Sequence, residues 1–505
     1  MELTDVDAPG WNTDVPGLWG AIIDGEVVMP PGAPTFSVTN PATGTQIAQV
    51  IDGDSELVDR AVRSSRRAFE SDWRNRPVRE RAKMMRAIAE KIRLHADELI
   101  ELETLEVGKP LHISASDVQG SHSRFDLFAD YASSLHGDIL DHGAIESFTV
   151  YEPYGVVAAV LPFNWPPIHF ARKCAPALIG GNSVVIKPGE QAPLTALRLA
   201  AIANEVLPPG VLNAVPGIKA GPALVAHNIV GRITFTGSSA TGIRVLTAAA
   251  QNITYATLEL GGKNALIIRA DADLDTALEV AIEGMFYNQG QACSSTSRIL
   301  VQDEIFDVFL ERFSRATERL VVGDGRDART EIGPMVDARQ RDRVMGYVAT
   351  ALREGARIHA QGTIPDDERL QNGCWVAPTV LVDVAPDSTA GQEEIFGPIA
   401  SVMRFTTDDE AIEIANGTRY GLTAAICSGD MGIARAMAAR LEAGVVRINN
   451  YQRGSIGAPS GGVKASGLGR DGSIDTMWDF VRSKSIQVPS GRGELQVWPP
   501  ARQQR

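Results

Sequence analysis

At 505 residues the chain exceeds what a single core of ordinary size supports, so two or three domains are expected. Its composition, 44% hydrophobic and 22% charged, is that of a soluble globular protein, and 48 lysines and arginines against 62 acids leave a net charge of −14. Such a surface repels phosphate backbones and anionic lipid, which argues against nucleic acid and membranes as partners; a helix N-terminus and a few lysines can still hold a dinucleotide locally.

The cysteines, Cys174, Cys293, Cys374 and Cys427, are scattered, without CxxC pairs or zinc-ligand spacing. Reduced thiols in the cytoplasm and no metal centre are the expectation. The first ten residues, MELTDVDAPG, are acidic and lack an apolar core, which predicts no secretory signal. No apolar run reaches the roughly 18–20 residues that cross a bilayer.

In chain order, residues 20–29 (GAIIDGEVVM) set β-prone runs on either side of Asp24-Gly25 and predict a hairpin. Val58, Ala61, Val62 and Phe69, with arginines between them, predict a surface helix over 56–69. Residues 79–105 read as one long helix or a helix pair, ended near Gly108 and Pro110. A repeating pattern then begins with a strand at 156–161, a helix to Leu178 and a strand at 183–186. Pro193 opens a helix that stops at Pro208-Pro209-Gly210; a strand at 212–215, a helix to His227 and a strand at 232–236 follow. Gly237-Ser238 opens the next helix. Apolar strands alternating with helices imply a parallel sheet covered on both faces, in a doubly wound nucleotide-binding architecture. Strands at 264–268 and 298–301, with helices at 274–287 and 305–320, point to a second α/β domain from near Gly262. After Asp479 comes a short tail with one β-prone run, 485–488, suited to pairing with a partner's sheet edge.

Four short motifs carry candidate chemistry. Gly237-Ser238-Ser239-Ala240-Thr241-Gly242 joins a predicted strand to a predicted helix. Glycine lets backbone approach a phosphate, and free N–H groups at a helix start cradle its charge. A small-residue turn without a ligand looks the same, and the motif is not GxGxxG. Lys187-Pro188-Gly189-Glu190 places a cation and a carboxylate at a strand end, either at a ligand-binding rim or in a solvated turn. A carboxylate there accepts both hydroxyls of a ribose and repels a 2′-phosphate, which favours NAD over NADP. Leu258-Glu259-Leu260-Gly261-Gly262-Lys263 sets one acid among leucines, either a general base of raised pKa or a glutamate facing water. Asn288-Gln289-Gly290-Gln291-Ala292-Cys293 ends in a thiol with no histidine or acid beside it, either a nucleophile or a small buried residue.

Their order adds what the single motifs lack. PFNWP (162–166), KPGE (187–190), FTGSSATG (235–242), LELGGK (258–263), NQGQAC (288–293), EEIFGP (393–398) and PSGGVKASGLGRDG (459–472) together resemble the aldehyde dehydrogenase superfamily, in its NAD-dependent hydrolytic branch. NPATG (40–44), ELETLEVGKPL (101–111) and the C-terminal tail extend the likeness over nearly the whole chain. Cys293 follows Glu259 by 34 residues, as in the family's pattern.

The resemblance implies a Rossmann-like doubly wound cofactor domain (1–130 and 152–260) and a second α/β catalytic domain (261–478). Small β oligomerisation segments (131–151 and 479–505) complete the fold in a homodimer or homotetramer. It implies NAD, in preference to NADP, and a small-molecule aldehyde substrate. Cys293 is then the nucleophile, and Asn164 donates its amide to the oxyanion together with the Cys293 backbone N–H. Glu259 activates the hydrolytic water, and Lys173 lies near Glu259 and influences its protonation. Lys187 and Glu190 hold the adenine-side ribose, and Gly237 and Ser238 lie by the pyrophosphate. Glu394 grips the nicotinamide ribose, Phe396 packs beside the nicotinamide, and Phe163 and Leu260 complete the cofactor set. Relatives that pass the acyl group to coenzyme A generally lack a glutamate at the position of Glu259, so its presence predicts hydrolysis.

The departures lie on the substrate side. Ser460 stands where many relatives have the phenylalanine of a PFGG motif, and Gly454, six residues earlier, replaces an aromatic of enzymes for small apolar aldehydes. Arg172, eight residues after Asn164, takes another position that is often aromatic. With Trp165 and Ser294 these are the candidate substrate residues. They predict a wider or more polar site, for an aldehyde bearing a carboxylate or hydroxyl; a structural ion pair of Arg172 is the alternative. Two rival readings stand beside this one. A cysteine hydrolase or acyltransferase would pair the thiol with a histidine, and a non-catalytic binding protein would not need Cys293, Glu259 and Asn164 together.

Overall fold

The structure, a computed structural model, describes residues 17–451, 456–493 and 495. Strands Val156–Val160 and Ser183–Lys187 are buried along their whole length, as continuous apolar runs in a sheet covered on both faces must be. They lie parallel to three others in the order Tyr255–Glu259, Val230–Thr236, Val156–Val160, Ser183–Lys187, Leu212–Ala214. Chain order runs outward in both directions from Val156–Val160, so a crevice opens at the carboxyl ends beside that strand, where such sheets take ligands. The expected hairpin forms from Ala21–Ile23 and Glu26–Val28 and extends one edge antiparallel. Gly467–Leu468 covers the other, pairing with Leu258 and Glu259.

The helix over 56–69 is Ser55–Ser71, started by Asp54, whose carboxylate accepts the N–H groups of Glu56 and Leu57. The 79–105 segment is a pair, Val78–Leu94 and Ala96–Val107, and Gly108 ends the second in the left-handed conformation (φ 85°). The hydrophobic pattern gave no sign of the following helix, Leu111–Asp130. Its buried side includes Ser114, Asp117 and Ser121, so polar groups interrupt the apolar stripe that would betray it.

Ala265–Ile268 begins the second sheet, ordered Arg357–Gln361, Thr379–Val382, Ile399–Phe405, Arg298–Gln302, Ala265–Ile268, Thr423–Cys427, Val445–Ile448; all but the first strand run parallel. Its two faces carry separate apolar cores, one around Ile267 and Leu300 and the other around Leu266 and Phe309. Helices Leu274–Phe286 and Phe306–Arg319 fall within a residue of their expected ends. A third sheet holds Ile139–Asp141, Ile145–Pro153 and Val481–Pro489. The tail strand is longer than its β-prone run, and it pairs with Ile145–Pro153 of its own chain. Among the described residues no helix is long and apolar enough to cross a membrane.

Candidate active site

A cleft of about 890 Å³ occupies the crevice of the first sheet. Loops that leave the strand ends bring in Phe163, Asn164, Lys187, Glu190, Gly237, Ser238, Glu259 and Leu260; the second sheet's connections bring in Cys293, Glu394 and Phe396. Ser238 caps helix Ser239–Gln251 and accepts the N–H of Thr241 at 3.3 Å. The first-turn N–H groups of Ser239 and Ala240 have no acceptor within the helix, which suits an anion. Lys187 Nζ donates to Glu190. Glu394 accepts the N–H of Gly262 at 3.0 Å, and burial pushes its carboxyl up to about 7. A side chain on Gly261 would collide with that carboxylate. Phe396 sits at φ 60°, costly for an aromatic residue; Gln340 Nε2 donates to its carbonyl at 2.8 Å, and its ring meets Phe163 edge-on, centroids 5.9 Å apart.

The loop that leads to Cys293 is unusual in its backbone. Asn288, Gln289 and Gly290 are all left-handed, at φ 50°, 57° and 68°. For an L-residue this costs on the order of 1–2 kcal/mol, so neighbours must hold it. Asn288 Nδ2 donates to Asn164 O at 3.0 Å, Asn164 Nδ2 donates to Gln291 O at 2.9 Å, and Gln289 Nε2 donates to Gly108 O at 3.0 Å. Beyond the turn, Asn264 Nδ2 bridges the carbonyls of Cys293 (2.8 Å) and Ser295 (2.9 Å), and the Tyr451 hydroxyl donates to Ser294 O. The thiol is half-buried. Burial, with the carboxylates of Glu394 and Glu259, pushes it up to about 12; Arg172 opposes them.

Glu259 ends its strand with a buried Oε1 that has no hydrogen-bond partner among the described residues. A Cβ on Gly461 would stand 2.8 Å from that atom. Burial, then Asp471, raises the Glu259 carboxyl to about 8; Lys173, Arg172 and Arg470 pull the other way. Lys173 pairs directly with Asp471, Nζ to Oδ2 at 2.7 Å, and both are buried. Lys173 therefore acts on Glu259 through its field, with Asp471 as the partner that the sequence reading missed.

Lys173, Trp165, Arg172, Ser294 and Ser460 do not line the cleft. The Trp165 ring lies 6.5 Å from Tyr287 and 6.3 Å from His169, with Lys109 Nζ 5.8 Å from its centroid. Ser294 contributes a carbonyl, shared by Tyr451 and Thr423. Ser460 exchanges both backbone hydrogen bonds with Asp471, at 2.9 and 2.6 Å, and so places that carboxylate. Arg172 is half-buried, with no ion pair among the described residues and a buried Nε without an acceptor. Gly454 lies outside the described residues. Asn264, Asn288, Gln289 and Tyr451 were also missed; only the placing of Asn288 and Gln289 in NQGQAC pointed to them.

The sequence profile of the aldehyde dehydrogenase family matches residues 28–486. The chain is similar to an aldehyde dehydrogenase of Didymella fabae (43% identical over 470 residues, 92% of this chain and 94% of the relative). It is also similar to a betaine aldehyde dehydrogenase of Sinorhizobium fredii (38% identical, 94% and 97% covered). Its fold superposes on the crystal structure of Staphylococcus aureus betaine aldehyde dehydrogenase in complex with NAD+ (TM-score 0.92, 38% identical, 95% and 96% covered). The doubly wound sheet, the second α/β layer and the motif order all agree with this likeness, and the chain belongs to the aldehyde dehydrogenase family of oxidoreductases.

Proposed function

We propose that the chain oxidises an aldehyde to its carboxylic acid with NAD, through a covalent adduct on Cys293 that Glu259 hydrolyses with water. The observation that carries this reading is the meeting of Cys293, Asn164 and an unpartnered Glu259 in one cleft with two further carboxylates, Glu190 and Glu394. The cleft fits a dinucleotide: a helix N-terminus for the pyrophosphate, Glu190 with Lys187 for one ribose, Glu394 for the other, and Phe163, Leu260 and Phe396 as apolar walls.

The Cys293 thiol gives up its proton to the Glu259 carboxylate, which passes it on to solvent; the sulfur attacks the aldehyde carbon, and negative charge gathers on the oxygen. Asn164 uses one amide hydrogen on Gln291 O, which leaves the second, with the Cys293 backbone N–H, for that oxyanion. When bound, NAD supplies the acceptor for the hydride that leaves this carbon. The acyl group then remains on Cys293 as a thioester. Glu259 takes a proton from water, the water oxygen attacks the thioester carbonyl, the C–S bond breaks and the acid departs. A carboxyl raised to about 8 is matched to this work near neutral pH.

In this reading residues 1–130 and 152–260 serve the cofactor, 261–478 carry the nucleophile, and 131–151 with 479–505 join subunits of a homodimer or homotetramer. Exposed Ile139, Leu140, Ile486 and Val488 on the third sheet support that last part. The free cysteines suit a cytoplasmic setting. The lack of an ion pair at Arg172 among the described residues supports a polar or carboxylate-bearing substrate. Absorbance at 340 nm with NAD and a panel of aldehydes tests the reading. NADH formation with stoichiometric acid release is expected; NAD binding without turnover of any aldehyde overturns it.

A further inference from the structure

As the base for Cys293, Glu259 has to shed a proton in each turnover, and the cleft that it faces is then filled by cofactor and substrate. Asp471 and Lys173, the charged groups that act on it most strongly, are both buried and paired with each other. They set the field at Glu259 without reaching solvent.

A row of polar atoms leads another way. Val230–Thr236 and Tyr255–Glu259 are parallel neighbours, and their register sets Thr236 beside Glu259, Thr234 beside Thr257 and Arg232 beside Tyr255. Side chains two apart on a strand share a face, so all of these point to the same side of the sheet. The other side carries Ile233, Phe235 and Leu258 in an apolar core. Thr236 Oγ1, Glu259 Oε1, Thr234 Oγ1 and Arg232 Nε are buried, and none of these atoms has a hydrogen-bond partner among the described residues. Buried polar groups are almost always satisfied, so orphans in one row call for a shared partner. Paired strands lie about 4.8 Å apart and a two-residue step advances about 6.6 Å. One water reaching about 2.8 Å to either side bridges gaps of that order.

The row ends at solvent, towards the amino ends of the strands and away from the cleft. Arg232 Nη2 donates to Thr257 Oγ1 at 2.6 Å and stands 3.8 Å from Asp479 Oδ2, whose side chain is 41% exposed. Glycines form the facing wall. A Cβ on Gly461 would lie 2.8 Å from Glu259 Oε1 and 2.8 Å from Gly469 O; one on Gly469 would lie 3.4 Å from Thr257 Oγ1 and 3.5 Å from Asp479 Oδ2. The loop thus meets the base at one glycine and the outlet at the other, with no side chain at either point to close the space. Arg232, Asp471 and Asp475 are the charges that face Asp479, and Asp471 bears on both ends of the row.

We propose that a file of waters held by Thr234, Thr236 and Thr257 carries the proton from Glu259 to Asp479 and so to solvent. In each passage the O–H bond of the Glu259 carboxyl breaks, a water takes that proton and yields another along the file, and Asp479 passes one on. Glu259 is left as the carboxylate and no electron moves. Because Arg232 donates to Thr257, that hydroxyl keeps its own hydrogen for the file. The proposal rests on Glu259 serving Cys293 in aldehyde oxidation, as put forward above.

The test mixes the NAD-loaded enzyme with an aldehyde that it oxidises, in weak buffer containing phenol red, and follows the proton, NADH absorbance and NADH dissociation by fluorescence. In the wild type the first proton is expected in solvent together with the absorbance burst, ahead of NADH dissociation. A proton that appears only as NADH leaves overturns the route, and this result depends on no variant's folding. Asp479→Asn and Thr257→Val should each slow proton release by about 10-fold or more, less than loss of the acid–base group itself. Thr257→Ser, which keeps the hydroxyl, should release it at close to the wild-type rate. Unslowed release in either Asp479→Asn or Thr257→Val, or an equal loss in Thr257→Ser, overturns the route and leaves aldehyde oxidation standing. A wild type that forms no NADH with any aldehyde sinks both.

Discussion

The cofactor cleft and the layer around His169 both border the Glu259–Cys293 pair, yet they are built on different principles. In the cleft the polar groups proposed to meet the cofactor lie in the connections that leave the strands: the capped helix at Ser238, Glu190 with Lys187, and Glu394 on the Gly262 N–H. Around His169 charge is dense: Lys109, Arg124, Arg172 and Lys173 bear on its ring, Lys109 pairs with Glu103 and Asp117, and Lys173 pairs with Asp471. As proposed, the cleft positions a ligand through backbone geometry. The helical layer sets the ionisation of Glu259 through fields. A mutation on the first side should therefore change rates, and one on the second should change the pH at which those rates appear.

Removing the thiol gives the largest effect. Cys293→Ala is expected to lower kcat by at least about 10⁴-fold, the scale on which covalent machinery fails as a unit. NADH fluorescence titration should still report cofactor binding. A variant that keeps its rate would show that the cleft does no covalent chemistry and would erase the contrast. Glu259→Gln should slow turnover by roughly 10²- to 10⁴-fold and, in rapid mixing, release about one equivalent of NADH in a burst before the slow phase, since the acyl-enzyme still forms. The sign of the wild-type profile follows from the same residue. The base works only when deprotonated, so kcat should fall as pH drops below about 8 and level off above it. Asn164→Ala removes one oxyanion donor and should cost roughly 10²- to 10³-fold in kcat with the pH midpoint unmoved.

The smallest effect is the most informative about the helical layer. Asp471 raises Glu259, and Lys173 opposes it. Asp471→Asn withdraws the first influence and frees the second, so the acid limb of the kcat profile should move to lower pH. A change in height alone, with the limb in place, would make Asp471 a packing residue.

The same difference decides what could be seen in the sequence. Strand-end groups fall in short motifs whose glycines and flanking apolar runs are local, so Glu259, Lys187, Ser238 and Cys293 were all marked before any fold was known. The β and α alternation around them was legible because fully buried strands are continuous apolar runs. Helix Leu111–Asp130 was not, since Ser121, together with Ser114 and Asp117, which meet Thr104 and Lys109, breaks its stripe. Asp471 lies 298 residues from Lys173, and no local pattern joins them. Asn264 holds Cys293 from an adjoining strand start, again with nothing in sequence to link the two. Arg172 stands out in the sequence as a departure from the family's pattern.

The left-handed run at Asn288, Gln289 and Gly290 has a further consequence for how the chain can be divided. Its bonds go to Gly108 and Asn164, both contributed by the half that holds the first sheet. A fragment starting at Gly262 would contain every atom of the cysteine and the whole of its sheet, but not the acceptors that keep the turn inverted. The proposed nucleophile thus belongs to neither half alone. It comes into being only where the two are folded against each other.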